Sequence, residues 1–151
     1  MTLLERVTAD LTAAMKARDA ARTSTLRLAK AALQNRAIDK QTTLEDGDVV
    51  RVLQGLVKQR EDSVEQYEKA GRSDLAEKER AEIAVLKAYL PADVTDEEVA
   101  AAVERAIAET SASSPKDMGK VMKAALSALS ASGKSVDGKR VSEAAKKRLG
   151  G

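Results

Sequence analysis

Three carboxylates, Glu61, Glu65 and Glu68, stand at i, i+4 and i+7 and so share one face of any helix that carries them. Carboxylates spaced in this way can hold a metal ion or divide into a general acid and a general base. The rest of the chain gives them no help, because it contains no His and no Cys. That absence removes thiol chemistry, disulfides, zinc sites built on those residues and every His-based base or triad. Lys58, Asp62 and Lys69 interleave with the three acids, and Glu65–Lys69 and Lys58–Asp62 have the spacing of ordinary surface ion pairs. The run therefore reads as a solvated face. Ser and Thr hydroxyls would need a Lys base held in an apolar pocket, and every Lys lies in a polar stretch. Gly133-Lys134-Ser135 lacks the upstream glycine of a phosphate-cradling loop, and no dinucleotide fingerprint occurs. The sequence predicts no catalytic residue, no metal ligand and no cofactor.

Basic residues are the stronger signal. Net charge is only +2, yet it is unevenly spread. Between Asp93 and Glu109 six acids face Arg105 alone, whereas from Pro115 onward nine bases face three acids, a local +6. Lys116, Lys120 and Lys123 fall close together, and Lys134, Lys139 and Arg140 flank a later connection. If the helices on either side of that connection pack as a hairpin, these cations can converge at one end. Such a cluster suits phosphate contacts, which need charge but little base-reading geometry. The same lysines also suit plain solubility, and Lys146, Lys147 and Arg148 suit the C-terminal end of a helix dipole. Gly119 sits early in a helical stretch, where glycine costs about 1 kcal/mol relative to Ala. Tight helix packing is its ordinary use, and close approach of a partner's backbone is the other. Gly133 and Gly138 bracket the connection, where turn geometry alone would account for both.

The elements that must position these residues are helical throughout. Thr2 and Glu5 form a capping box before the stripe Leu4, Val7, Leu11 and Met15. Asp19 either caps a second helix carrying Leu26, Ala29, Leu33 and Ala37 or lies in a kink of one longer helix. Val49, Leu53, Leu56, Val57, Val64 and Tyr67 mark a long third helix that ends at Gly71. Leu75, Ile83, Leu86 and Leu90 mark a fourth, stopped by Pro91. Thr95 and Glu98 cap a fifth with Val99, Val103 and Ile107. Ser114 and Pro115 open a sixth with Met118, Val121, Met122, Ala125 and Leu129. Asp137 and Gly138 cap a last helix with Val141, Ala145 and Leu149. The expected architecture is all-α and multihelical, with an N-terminal four-helix part (1–90) and a small C-terminal three-helix part (91–151).

Tyr67 and Tyr89 are the only aromatic residues among 151, which disfavours surfaces that stack bases on aromatic rings. The N-terminus mixes acids and bases without an apolar signal region, and no segment approaches a membrane span. A cytoplasmic protein with no membrane association is expected.

Several ordered stretches resemble the YqeY-like family over nearly the whole chain. They are Leu26-Arg27-Leu28 through Asn35 to Asp39, Lys58-Gln59-Arg60-Glu61-Asp62-Ser63-Val64, Tyr67 to Arg72, Tyr89-Leu90-Pro91, Lys116 to Met122, and Asp137-Gly138-Lys139. The resemblance implies a wholly helical fold whose C-terminal part is similar to the tail domain of the B subunit of the tRNA-dependent amidotransferase. That tail helps hold tRNA while amide transfer occurs elsewhere. The matching positions are Gly119, Lys120, Met122, Lys123, Gly133 and Lys134. The resemblance thus implies a non-catalytic, tRNA-associated binding protein, and together with the basic segment it gives Lys116, Gly119, Lys120, Lys123, Gly133, Lys134, Lys139 and Arg140 as the expected contact residues. A protein-interaction accessory of an amidotransferase or aminoacyl-tRNA synthetase, with a docking face on the third and fourth helices around Tyr67, is the alternative. A carbon–nitrogen ligase using glutamine as amido donor would require a catalytic portion that nothing in the chain resembles.

Overall fold

A computed structural model describes residues 1–150, which form seven α-helices and no strand. They are α1 (Leu3–Lys16), α2 (Ala20–Lys40), α3 (Asp46–Lys69), α4 (Ser73–Lys87), α5 (Asp96–Thr110), α6 (Met118–Ser130) and α7 (Gly138–Arg148), with a 3₁₀ turn at Pro115–Asp117. The chain divides into two compact units, one of residues 1–90 and one from Pro91 onward. Among the described residues no helix is long and apolar enough to cross a membrane.

Local chemistry sets the helix ends. Thr2 Oγ1 accepts the Glu5 amide at 3.1 Å while Glu5 Oε2 accepts the Thr2 amide at 3.0 Å, which closes the first capping box. Asp19 Oδ1 accepts the Arg22 amide at 3.1 Å, so α1 and α2 are separate helices. At the end of α3, Gly71 adopts φ +72°. Its amide donates to the Glu68 carbonyl at 3.1 Å, and that of Arg72 donates to Tyr67 at 2.8 Å. This is the Schellman arrangement that glycine permits without strain.

In the first unit α1 packs on α2, α3 packs along α4, and α2 also meets both α3 and α4. Val7, Leu11, Leu26, Leu33, Val49, Leu53 and Leu86 build its core. The α1 stripe turns toward Ala14, and Met15, expected inside, is exposed. Arg60 Nε reaches Glu82 Oε2 at 3.1 Å across the α3–α4 pair, with both side chains largely buried. The three carboxylates of α3 each have a cation nearby. Glu61 lies 4.0 Å from Lys87, Glu65 lies 3.2 Å from Lys69, and Glu68 pairs with Arg80. Lys58 and Asp62 form no such pair. The buried Asp48 carboxylate accepts from Lys40 Nζ at 2.6 Å and from the Glu45 amide at 3.0 Å. The Lys40 hydrogen bond, then that amide, hold its carboxyl below the usual carboxylate range.

The second unit packs α5 against α6 and α7, and α6 against α7. Its core is Val94, Val99, Val103, Ala106, Val121, Ala125, Leu129, Val141 and Ala145, almost entirely valine and alanine. Ser114 makes no side-chain cap, contrary to expectation, because the 3₁₀ turn intervenes before α6. Asp117 Oδ2 instead accepts the Ser113 amide at 3.0 Å.

Candidate nucleic-acid interface

The second unit holds all eight candidate residues, and its first task is to place the connection between α6 and α7. Gly133, at φ +77°, turns the chain after α6. The Ser135 amide then donates to the Ala92 carbonyl at 2.9 Å, and the Val94 amide donates to the Ser135 carbonyl at 3.0 Å. This isolated bridge pins the connection beside the start of α5. The first turn of α5 carries Asp96, Glu97 and Glu98, where the helix dipole favours negative charge.

Two candidate cations are held there. Lys134 Nζ lies 2.7 Å from Glu98 Oε1, and Arg140 Nη2 lies 2.6 Å from Asp96 Oδ1. Arg140 Nη1 also donates to the Val94 carbonyl at 2.7 Å. Arg140 occupies the first turn of α7, where a cation opposes the dipole, and these partners offset that cost. Lys134, followed by the Thr95 amide, holds the Glu98 carboxyl below its ordinary range. Lys139, in the same first turn of α7, is likewise engaged within the protein.

Lys116, Lys120 and Lys123 form a different group. They fall at i, i+4 and i+7 along the 3₁₀ turn and α6, opposite the buried Val121, Ala125 and Leu129. All three are exposed, and among the described residues none forms an ion pair. Convergence of the two groups at one end does not occur. Lys120 stands near the start of α6 and Lys134 follows its end, so the helix separates them by about 16 Å along its axis.

Gly119 lies on the same open face. A Cβ built there meets nothing within 4 Å, so close helix packing, its ordinary use, is not the reason for this glycine. Gly119→Ala is expected to raise the stability of the protein by about 0.5–1 kcal/mol in denaturant unfolding. The sequence also gave no sign of a small apolar cleft of about 240 Å³ lined by Pro115, Met118, Lys146 and Leu149. Its walls come from positions some thirty residues apart, which no local pattern links.

Among the described residues no group of three or more His, Cys, Asp or Glu side chains is placed to hold a metal ion.

Comparison with known proteins gives the relationship. A family model described as Yqey-like protein matches residues 4–149. A Lachancea thermotolerans protein named altered inheritance of mitochondria protein 41, mitochondrial, is 39% identical over 82 residues, covering 54% of this chain and 44% of its own length. An uncharacterised Schizosaccharomyces pombe protein is 38% identical over 77 residues, covering 51% of this chain and 63% of its own. A Pyrenophora tritici-repentis protein with the same name as the first is 31% identical over 147 residues, covering 93% and 77%. The match spans about half the length of the first two relatives. With a family model matching all but the extreme ends of the chain, the protein belongs to the YqeY-like family.

Proposed function

We propose that this protein is a non-catalytic binding protein that docks tRNA through the outward face of α6. The observation that carries the reading is the stripe of Lys116, Lys120 and Lys123, exposed, without ion-pair partners and adjoining the uncovered backbone at Gly119. Three unpaired ammonium groups on one helix face can contact phosphates by charge without needing aromatic stacking. Lys134, Lys139 and Arg140 add positive potential nearby, but Lys134 and Arg140 give most of their charge to Glu98 and Asp96. Gly133 serves the turn that carries Lys134. The cytoplasmic placement expected from the sequence stands as a proposal beside relatives from Lachancea thermotolerans and Pyrenophora tritici-repentis that are named as mitochondrial proteins.

The test is a titration of tRNA at several salt concentrations. Binding is expected with a slope of log Kd on log salt of about 3 or more. Absence of binding at low salt, or a slope near zero, overturns the proposal. Gly119→Ala should weaken tRNA binding while stabilising the fold, a combination that a purely structural glycine would not give.

A second reading, an accessory to an amidotransferase or aminoacyl-tRNA synthetase, is favoured by exposed apolar side chains in the first unit. Co-purification with and without RNase separates the two, since a protein partner survives the nuclease. A glutamine-dependent carbon–nitrogen ligase is the third reading, and glutaminase assays with and without tRNA test it.

A further inference from the structure

The large apolar side chains that the first unit leaves in water, apart from Met1, cluster on one surface. Met15 is 49% exposed, Leu28 52% and Ile38 72%. Leu28 and Ile38 lie on α2 opposite its buried Leu26, Ala29 and Leu33, joined by the exposed Ala31 at i+3 and i+7 spacing. Thus α2 is apolar on two faces, and only one is covered. Ser24, Leu28, Ala31, Asn35 and Ile38 follow one another along the open face over about 21 Å, with Asn35 its one amide. At its N-terminal end the face opens into a shallow groove of about 610 Å³ whose walls include Met15, Arg18, Arg27 and Leu28.

The rim of this surface is predominantly basic. Between Lys16 and Lys40 seven basic residues face two acids, Asp19, whose carboxylate is taken up in capping α2, and Asp39 beside Ile38. Lys16, Arg18 and Arg27 are exposed and form no ion pair among the described residues. Arg18 adds an independent observation. It occupies the C′ position of α1 at φ +57°, where its amide donates to the Met15 carbonyl at 3.2 Å and that of Asp19 donates to Ala14 at 3.0 Å. Glycine would take this conformation without the strain that Arg pays. The chain nevertheless places here a guanidinium with no partner of its own, on the wall of the groove.

We propose that the α1–α2 surface is a docking site for an acidic amphipathic helix of a partner protein. Its leucine-type side chains would lie along Leu28, Ala31 and Ile38 and in the groove at Met15, while its carboxylates would meet Arg18, Arg27 and Lys16. The three exposed apolar side chains favour a helix over nucleic acid, whose backbone would use the cations and leave the apolar residues wet. The proposal rests on the protein-partner reading and uses no residue of α6. It moves the docking face from α3 and α4, where the Glu68–Arg80 and Glu61–Lys87 ion pairs already occupy the surface, to α2.

The probe is a labelled helical peptide of Leu and Glu, with Leu at i, i+3, i+7 and i+10, added to the full-length protein. A peptide of the same composition in scrambled order, the Lys analogue and a single-stranded RNA serve as comparisons. Amide NMR shifts are expected to change at Met15, Arg18, Ser24, Leu28 and Ile38 with the acidic amphipathic peptide. Leu28→Gln and, separately, Arg18→Gly should each weaken binding, by about tenfold for Leu28. Both positions are exposed, so circular dichroism should show both variants folded. Equal binding of the scrambled peptide, shifts centred elsewhere, or RNA occupying the face regardless of Leu28 overturns the proposal. So does a concentration-dependent dimer that Leu28→Gln abolishes, since a second copy would then be the occupant. Failure of the peptide while a co-purified protein survives RNase overturns the acidic helix alone. Failure of both overturns the partner reading as well.

Discussion

Replacing Lys116, Lys120 and Lys123 together with glutamine is expected to reduce the salt slope of tRNA binding by about three and its affinity by roughly 10²–10³-fold near 0.1 M salt. The size follows from counterion release, in which each neutralised phosphate contributes slightly less than one unit to the slope. At 0.1 M salt three such contacts account for between two and three decades in the binding constant. The variant should fold normally, because all three side chains lie on the exposed face of α6 and Val121, Ala125 and Leu129 are untouched. Filter binding or fluorescence anisotropy at 50, 100 and 200 mM salt measures slope and affinity together. An unchanged slope would move the contact away from α6.

The same arithmetic predicts a smaller effect at Lys134. Its ammonium already lies 2.7 Å from Glu98, so an incoming phosphate must compete with a carboxylate that is not displaced without cost. Removing Lys134 also leaves Glu98 without its cation, and the Glu98 pKa should then rise from its lowered value. The basic segment is therefore two structures with different uses. Around the α6–α7 connection, opposite charges fasten a loop to α5. Along α6, like charges are left unpaired on an open face.

That distinction could not be read in the sequence, because the acids that neutralise Lys134 and Arg140 lie 36 and 44 residues away. Elements governed by local chemistry were legible. The capping boxes at Thr2 and Thr95, the Asp19 and Asp137 caps and the Gly71 terminus each depend on residues within five positions of one another. Periodicity located the helices but blurred which side of a stripe faces inward. Met15 and Ala14 are neighbours, and only packing against α2 decides that the smaller one is buried. In α2 apolar residues populate two faces, and the stripe Leu26, Ala29, Leu33 and Ala37 located the buried one while leaving the exposed Leu28 and Ile38 unmarked. Gly119 was legible as an anomaly, and the open space above it needed the structure.

Tyr89 should give the largest single-residue effect on stability. Its ring is 4% exposed, in the turn after α4, and its hydroxyl donates to Asp10 Oδ2 on α1 at 2.5 Å. The Arg6 guanidinium lies 4.9 Å from the ring centroid, and Arg6 Nη2 donates to the Ala88 carbonyl at 3.3 Å. Tyr89 thus fastens the C-terminal end of the first unit to its first helix. Tyr89→Ala removes the ring and its contacts and is expected to cost about 3–5 kcal/mol, a large part of a domain's usual stability. Tyr89→Phe keeps the ring, loses a hydrogen bond to a charged group and should cost about 1.5–3 kcal/mol. Tyr67 remains as a fluorescent reporter confined to the first unit in both variants. The pH dependence separates the hydroxyl from the ring. Burial, then the hydrogen bond to Asp10, push the phenol from 10.0 up to about 12. A folded-state pKa above the unfolded value means that the phenol's contribution is complete below pH 10 and is lost as pH rises through 12. The stability advantage of the native protein over Tyr89→Phe should therefore be constant from pH 7 to 9 and shrink between pH 10 and 12. Lysine titration in the same range affects both proteins alike and cancels in the difference. A constant difference across that range would mean that the Tyr89 hydroxyl is not held by Asp10.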